Sequence, residues 1–191
     1  QKPAEITFDS EVTLSASQWK QVSGTFQIPA HDKNDQVKIE FVGSENLAFC
    51  IDDLRIAAVE SDKVITENIL SSFNTSFEGI NTSGGLNWWN DLSWGQTNIA
   101  RKEYGENAKP TSDCGDYYLE VRPDSNQKSG AQLCNGEWTD NSETQEGLSR
   151  LIKPEGTYEF TYFAKLSDGM DDGEVRFQIT SASKDWSSQK L

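Results

Sequence analysis

The chain has 191 residues, which suits one domain or one domain with extensions. Its 17 basic against 31 acidic residues give a formal net charge of −14. That balance argues against nucleic acid and anionic membrane surfaces as partners, because both are bound through clustered Lys and Arg. No apolar run approaches the roughly 20 residues needed to cross a bilayer. No secretory leader is legible, which is expected of a leader already removed or of a segment internal to a longer protein.

Alternation with period two dominates, and no long 3.6-residue stripe occurs. Strands are expected over residues 12–14 and 21–28. Val37-Lys38-Ile39-Glu40-Phe41-Val42 alternates apolar with polar side chains, and a longer strand follows over 49–59. Residues 61–67 are short and charged, as a linker would be. Residues 81–109 and 123–146 read as long loops. The first holds Trp88, Trp89 and Trp94, and the second holds Cys134 and Trp138. Further strands are expected over 117–122, 147–152, 158–165 and 175–180. Turn-forming runs such as Pro154-Glu155-Gly156 and Asp171-Asp172-Gly173 separate them. Many short strands punctuated in this way predict an all-β fold, a jelly-roll β-sandwich of two antiparallel sheets.

Alternation also sorts side chains by face. With Val175, Phe177 and Ile179 inward, Arg176 and Gln178 point outward; on 37–42 the outward pair is Lys38 and Glu40. On 158–165, inward Tyr158, Phe160 and Tyr162 put Phe163 outward. The six Trp, nine Phe and five Tyr divide between core and, for a few, an exposed platform. Trp88 with Trp89 and Trp94 could form an aromatic wall, or Trp89 and Trp94 could be core. Cys50, Cys114 and Cys134 match no zinc spacing, and an odd count cannot pair fully within one chain. A Cys114–Cys134 bridge and buried free thiols both remain open.

Several short motifs occur together in this chain. They are Asn68-Ile69-Leu70 with Phe77-Glu78-Gly79, Gly115-Asp116-Tyr117-Tyr118-Leu119, Leu148-Ser149-Arg150-Leu151 running to Gly156-Thr157-Tyr158, Phe163-Ala164-Lys165, Trp19 with Gly24-Thr25-Phe26, and Ile51-Asp52-Asp53-Leu54. Together they resemble the carbohydrate-binding modules of families 4, 9 and 22, jelly-roll modules attached to xylanases and glucanases. The order is cyclically shifted: residues 68–191 match the opening strands of such a module and residues 1–60 its closing strands, joined through 61–67. The arrangement is similar to the module inserted into gut-bacterial family 10 xylanases. A cut through tandem modules, a natural permutation and an exchange of pieces between two chains would each produce this order. Closure within one chain, hence a monomer, is the expectation, with a swapped dimer as the alternative.

The resemblance implies a structural Ca²⁺ where the first and last strands meet. Its ligands would be Glu78, Asp52 with Asp53 as its near alternative, Asp113, and a carbonyl oxygen of Asp116. Mixed carboxylate and carbonyl oxygen is the coordination Ca²⁺ prefers. The resemblance also implies Trp138 as a stacking platform for a sugar ring and Trp186 at the groove edge. Phe163, Trp88, Lys38, Glu40, Arg176 and Gln178 complete the candidate binding set. The implied activity is noncatalytic binding of xylan or a related β-1,4-linked polysaccharide, on behalf of a tethered hydrolase outside the cell or at its surface. Binding of β-glucan, and a protein–protein or adhesion sandwich, are the alternatives. No Glu-x-Asp-x-Glu strand is present, and the lone His31 beside Asp32 lacks a nucleophile context, so an enzyme is not expected.

Overall fold

The computed structural model describes residues 2–30, 36–60, 63–80, 86, 88–92, 98–106, 108–123, 128–134 and 147–182. In chain order they form β1 (Lys2–Pro3), β2 (Glu5–Phe8), β3 (Lys20–Gln27), β4 (Gln36–Glu45), β5 (Phe49–Glu60), β6 (Lys63–Val64), β7 (Trp89–Asp91), β8 (Ile99–Glu103), β9 (Tyr117–Val121), β10 (Lys128–Cys134), the helical turn α1 (Leu148–Leu151), β11 (Thr157–Leu166) and β12 (Val175–Ala182).

These strands build an all-β sandwich of two antiparallel sheets. One sheet has the order β1-β12-β4-β10-β7. The other has the order β2-β3-β11-β5-β9-β8, with β6 added beside β5. Neither sheet is made by one part of the sequence. In the five-stranded sheet, β4 lies between β12 and β10, so a strand from before residue 60 is paired on both sides by strands from after residue 128. In the other sheet, β11 lies between β3 and β5. Residues 63–80 then lead from β6 back over β5, where Ile69 N donates to Ile56 O at 2.9 Å.

The core is the space between the sheets, filled by the inward half of each alternation. Phe41 is fully buried at its centre. Its ring centroid lies 4.9 Å from Tyr162, 5.1 Å from Phe177 and 6.3 Å from Trp89. Phe160 joins Phe177 at 4.7 Å, and Phe26 stacks on Tyr158 at 5.2 Å. Offset and edge-on aromatic pairs of this kind add about 0.5–1.5 kcal/mol each beyond their area burial.

A bulge interrupts β5 at its middle. Phe163 is opposite Asp52 and Thr161 is opposite Arg55, so three steps on β5 face two on β11. The extra residue is Asp53, at φ 49. Left-handed backbone is tolerated by Asp better than by most residues. The insertion keeps Ile51 and Leu54 both buried in the core while Asp52 faces the opposite side.

Three expectations need correction. Residues 12–14 form no strand; they belong to a strap that crosses the sandwich edge, where Ser15 O accepts from Leu166 N at 3.0 Å. Residues 147–152 hold α1 rather than a strand. Leu148 and Ile152 are both fully buried four positions apart, and Ile152 N donates to Leu148 O at 2.8 Å. The stretches 81–109 and 123–146 contain β7, β8 and β10. Of the two readings left open for the cysteines, the structure has the free buried thiols at Cys50 and Cys114 and no Cys114–Cys134 bridge.

Candidate functional site

Strand register gathers polar side chains on the outer face of the five-stranded sheet. Gln178 on β12 is opposite Glu40 on β4, Glu40 is opposite Gln132 on β10, and Gln132 is opposite Asn90 on β7. The flanking positions Phe177, Ile179, Ile39, Phe41, Ala131 and Leu133 are all buried inward, which turns this row outward. Gln178 Nε2 donates to Glu40 Oε2 at 2.8 Å, and Gln132 Nε2 donates to the Asp91 carbonyl at 2.7 Å. The neighbouring rows are Thr180 opposite Lys38, and Arg176 opposite Val42, which is itself opposite Gly130. Each row is separated from the next by two residues, roughly 7 Å along the strands. Gln132 is 1% exposed and lies beneath this face, so the groups at its surface are the amides of Gln178 and Asn90, the Glu40 carboxylate, the Lys38 ammonium and the Arg176 guanidinium. Such a set bonds neutral hydroxyl-bearing ligands from several directions.

Lys38, Glu40, Arg176 and Gln178 thus share one surface. Among the described residues no strand position on that surface is aromatic. β10 and β12 both run antiparallel to β4, so they leave the sheet at the same end, after Cys134 opposite Lys38 and Ala182 opposite Gln36. Trp138 and Trp186 follow these exits in sequence and lie outside the described residues, as do Trp94 and His31.

Two other candidates stand elsewhere. Phe163 faces outward, but from β11 in the other sheet, where it is opposite Gln21 and Asp52. It cannot share a groove with the Glu40 row, because the whole sandwich separates them. Trp88 sits at φ 70 with its ring 5.2 Å from Phe73, half-buried against the core. Its neighbour Trp89 is fully buried between Phe41 and Phe77. The two rings therefore extend the core and build no aromatic wall.

The outer face of the second sheet carries a cluster that strand patterns alone do not assemble. Trp19, just before β3, lies 5.4 Å from Tyr118 and 5.8 Å from Tyr104, and these two tyrosines are 4.9 Å apart. Lys165 Nζ stands 5.8 Å from the Trp19 ring. Beneath this layer lies Asp52, which is 1% exposed. Its Oδ2 accepts from Tyr104 Oη at 2.7 Å and its Oδ1 from the Asp53 amide at 2.7 Å. No Lys, Arg or His pairs with it among the described residues. Burial pushes the Asp52 carboxyl up to about 7, against the lowering effect of these two hydrogen bonds.

The remaining candidate metal ligands have other partners. Asp53 receives Arg55 Nε at 3.0 and 3.1 Å. The Asp116 carbonyl accepts from Tyr104 N at 2.9 Å while its largely exposed side chain pairs with Lys109 at 2.7 Å, and Asp113 is exposed. Glu78 Oε1 accepts from Tyr117 N at 2.9 Å, and its carboxylate lies where a Cβ on residue 115 would stand, so a larger residue at Gly115 would displace that carboxylate. Arg101 on β8 donates to the carbonyls of Phe77 and Glu78 at 2.7 and 2.8 Å and covers the Tyr117 ring at 3.2 Å. Among the described residues no three His, Cys, Asp or Glu side chains are gathered closely enough to hold a metal ion. Asp52, a buried carboxylate without a counter-charge, is the one of these acids whose chemistry would suit an ion, though its two oxygens accept from Tyr104 and the Asp53 amide.

No protein-family model, no curated protein and no solved structure matches this chain.

Proposed function

We propose that the protein is a noncatalytic carbohydrate-binding module that takes xylan or a related β-1,4-linked polysaccharide on the outer face of its five-stranded sheet. The observation that carries this reading is the cross-strand alignment of Gln178, Glu40 and Asn90 about the buried Gln132, flanked by Lys38 and Arg176. A row running across strands gives a long neutral polymer a succession of hydrogen-bonding groups, spaced by the distance between neighbouring strands of about 4.8 Å. The resemblance of the sequence motifs to modules of families 4, 9 and 22 supplies the ligand class, and fold alone does not. The ring platforms of this reading are Trp138 and Trp186.

In the same reading a Ca²⁺ ion supplies counter-charge to Asp52. The module acts for a tethered hydrolase outside the cell or at its surface, raising local substrate concentration through added valency. In this reading it works as a monomer, a reading supported by the pairing of strands from both sequence halves within one chain.

Affinity electrophoresis in gels containing xylan, mixed-linkage glucan or mannan tests the proposal. Retardation in xylan without release of reducing sugar is the expected result. Release would make the protein a hydrolase. No retardation in any gel would favour an adhesion sandwich and end the proposal.

A further inference from the structure

A second place in the fold has the chemistry of a ligand site and plays no part in the polysaccharide reading. The strap between β2 and β3 crosses the open edge of the sandwich. It is held at one end by Asp9 N on Ser23 O at 3.0 Å and at the other by Leu166 N on Ser15 O at 3.0 Å. Beneath it a cleft of about 400 Å³ runs in between the two sheets. Its walls are Val12 and Leu14 of the strap, Val22 of β3, Tyr162 and Ala164 of β11, and Val175 of β12. Volumes of this order hold small organic ligands.

The lining is mainly apolar, with Ser10, Glu11 and the Tyr162 hydroxyl as its polar groups, and Tyr162 is the one among them that comes from the core. Tyr162 is 4% exposed and its ring is packed against Phe41 and Phe177. Its hydroxyl makes no hydrogen bond with any described residue, and burial alone raises its titration, with no hydrogen-bonding partner contributing. The hydroxyl is not fully enclosed, so it opens to the cleft, where water or a ligand can partner it. Tyr158, on the same strand and the same face, shows the usual arrangement, with its hydroxyl bonded to Lys153 N at 2.6 Å and Leu151 O at 3.3 Å. At the mouth stand Glu11, whose charge disfavours anions, and the ring of Phe8, which is 44% exposed and would cover a bound apolar body.

We infer that this inter-sheet cleft binds a small neutral molecule with an apolar body and one acceptor oxygen, such as an aryl ketone or ester, the oxygen accepting from Tyr162. The site is independent of the polysaccharide face, since Tyr162 points into the sandwich from the opposite sheet.

Acetophenone and ethylbenzene test this as a matched pair, one with and one without the acceptor, followed by amide chemical shifts of the full chain. Both should saturate, with shifts centred on Val22, Ala164 and Val175, and acetophenone should bind about tenfold more tightly, the yield of one net hydrogen bond. Tyr162→Phe should bring acetophenone down to the affinity of ethylbenzene and leave ethylbenzene unchanged. Val12→Phe, which fills the cleft from the strap, should remove both while melting as wild type does. Equal affinity of the two probes for the wild-type protein, saturation centred elsewhere, or no saturation by either would overturn the inference.

Discussion

The buried carboxyl of Asp52 makes stability depend on pH in a direction opposite to that of most acids. In the folded, metal-free chain it titrates at about 7, against an ordinary value of 3.8. A folded value raised above the unfolded one means that the folded state holds an extra proton between those limits. The stabilisation from Asp52 is therefore fully present below pH 3.8 and is lost as pH rises through 7. At about 1.36 kcal/mol per unit, the loss across that window is at most about 4 kcal/mol. Urea unfolding with chelator present, at several pH values from 4 to 8, measures it. Asp52→Asn keeps an acceptor for Tyr104 and removes the titration, so its stability should fall much less over the same range. Equal slopes for the two proteins would refute the assignment to Asp52. Millimolar Ca²⁺ favours the ionised form and should restore stability at pH 8, by about 2.7 kcal/mol when the ion is at a hundredfold excess over its dissociation constant. A chelated protein that regains nothing with Ca²⁺ would remove the ion from the account and leave the pH dependence standing.

Two further changes test the architecture. Phe41→Ala empties the centre of the aromatic core and should cost about 3–5 kcal/mol in urea unfolding, while a loss under about 1 kcal/mol would contradict the packing described. Arg101→Met removes two charge-assisted bonds to the carbonyls of Phe77 and Glu78 and should cost about 1.5–3 kcal/mol. An unchanged urea midpoint would mean that water replaces the guanidinium without loss.

The strands that were legible in the sequence are those whose inward residues are large. Ile39 and Phe41 on β4, Phe160 and Tyr162 on β11, and Phe177 and Ile179 on β12 each stand out against polar neighbours. β10 is as central as these, lying between β4 and β7, yet it reads Lys-Ser-Gly-Ala-Gln-Leu-Cys. Its small residues answer to crowding: a Cβ on Gly130 would stand 2.9 Å from the carbonyl of Phe41 and closer still to the Leu92 side chain. The pattern that marks a strand is erased where neighbours leave no room for it. For α1 the signal was present, since Leu148, Leu151 and Ile152 have helical spacing, but four residues are too few to separate one period from the other.

The candidate site was legible in part for a related reason. Alternation tells on which side of its own strand a residue lies, and it placed Lys38, Glu40, Arg176 and Gln178 outward. It does not tell to which sheet the strand belongs, and so Phe163 was grouped with residues on the far side of the molecule. Gln132 and Asn90 complete the row only through register, which cannot be read from either strand alone. The Asp52 environment likewise arises from Trp19, Tyr104 and Tyr118, three positions far apart in sequence that the second sheet brings together.

Titration calorimetry with xylohexaose tests the central claim most directly, comparing the wild-type chain with the double variant Glu40→Ala, Gln178→Ala. The account predicts saturable heat for the wild type and at least about a tenfold weaker association for the variant, with unchanged melting, as expected when hydrogen bonds to a charged group are removed. Absence of heat from the wild type, or identical binding by both proteins, would contradict it.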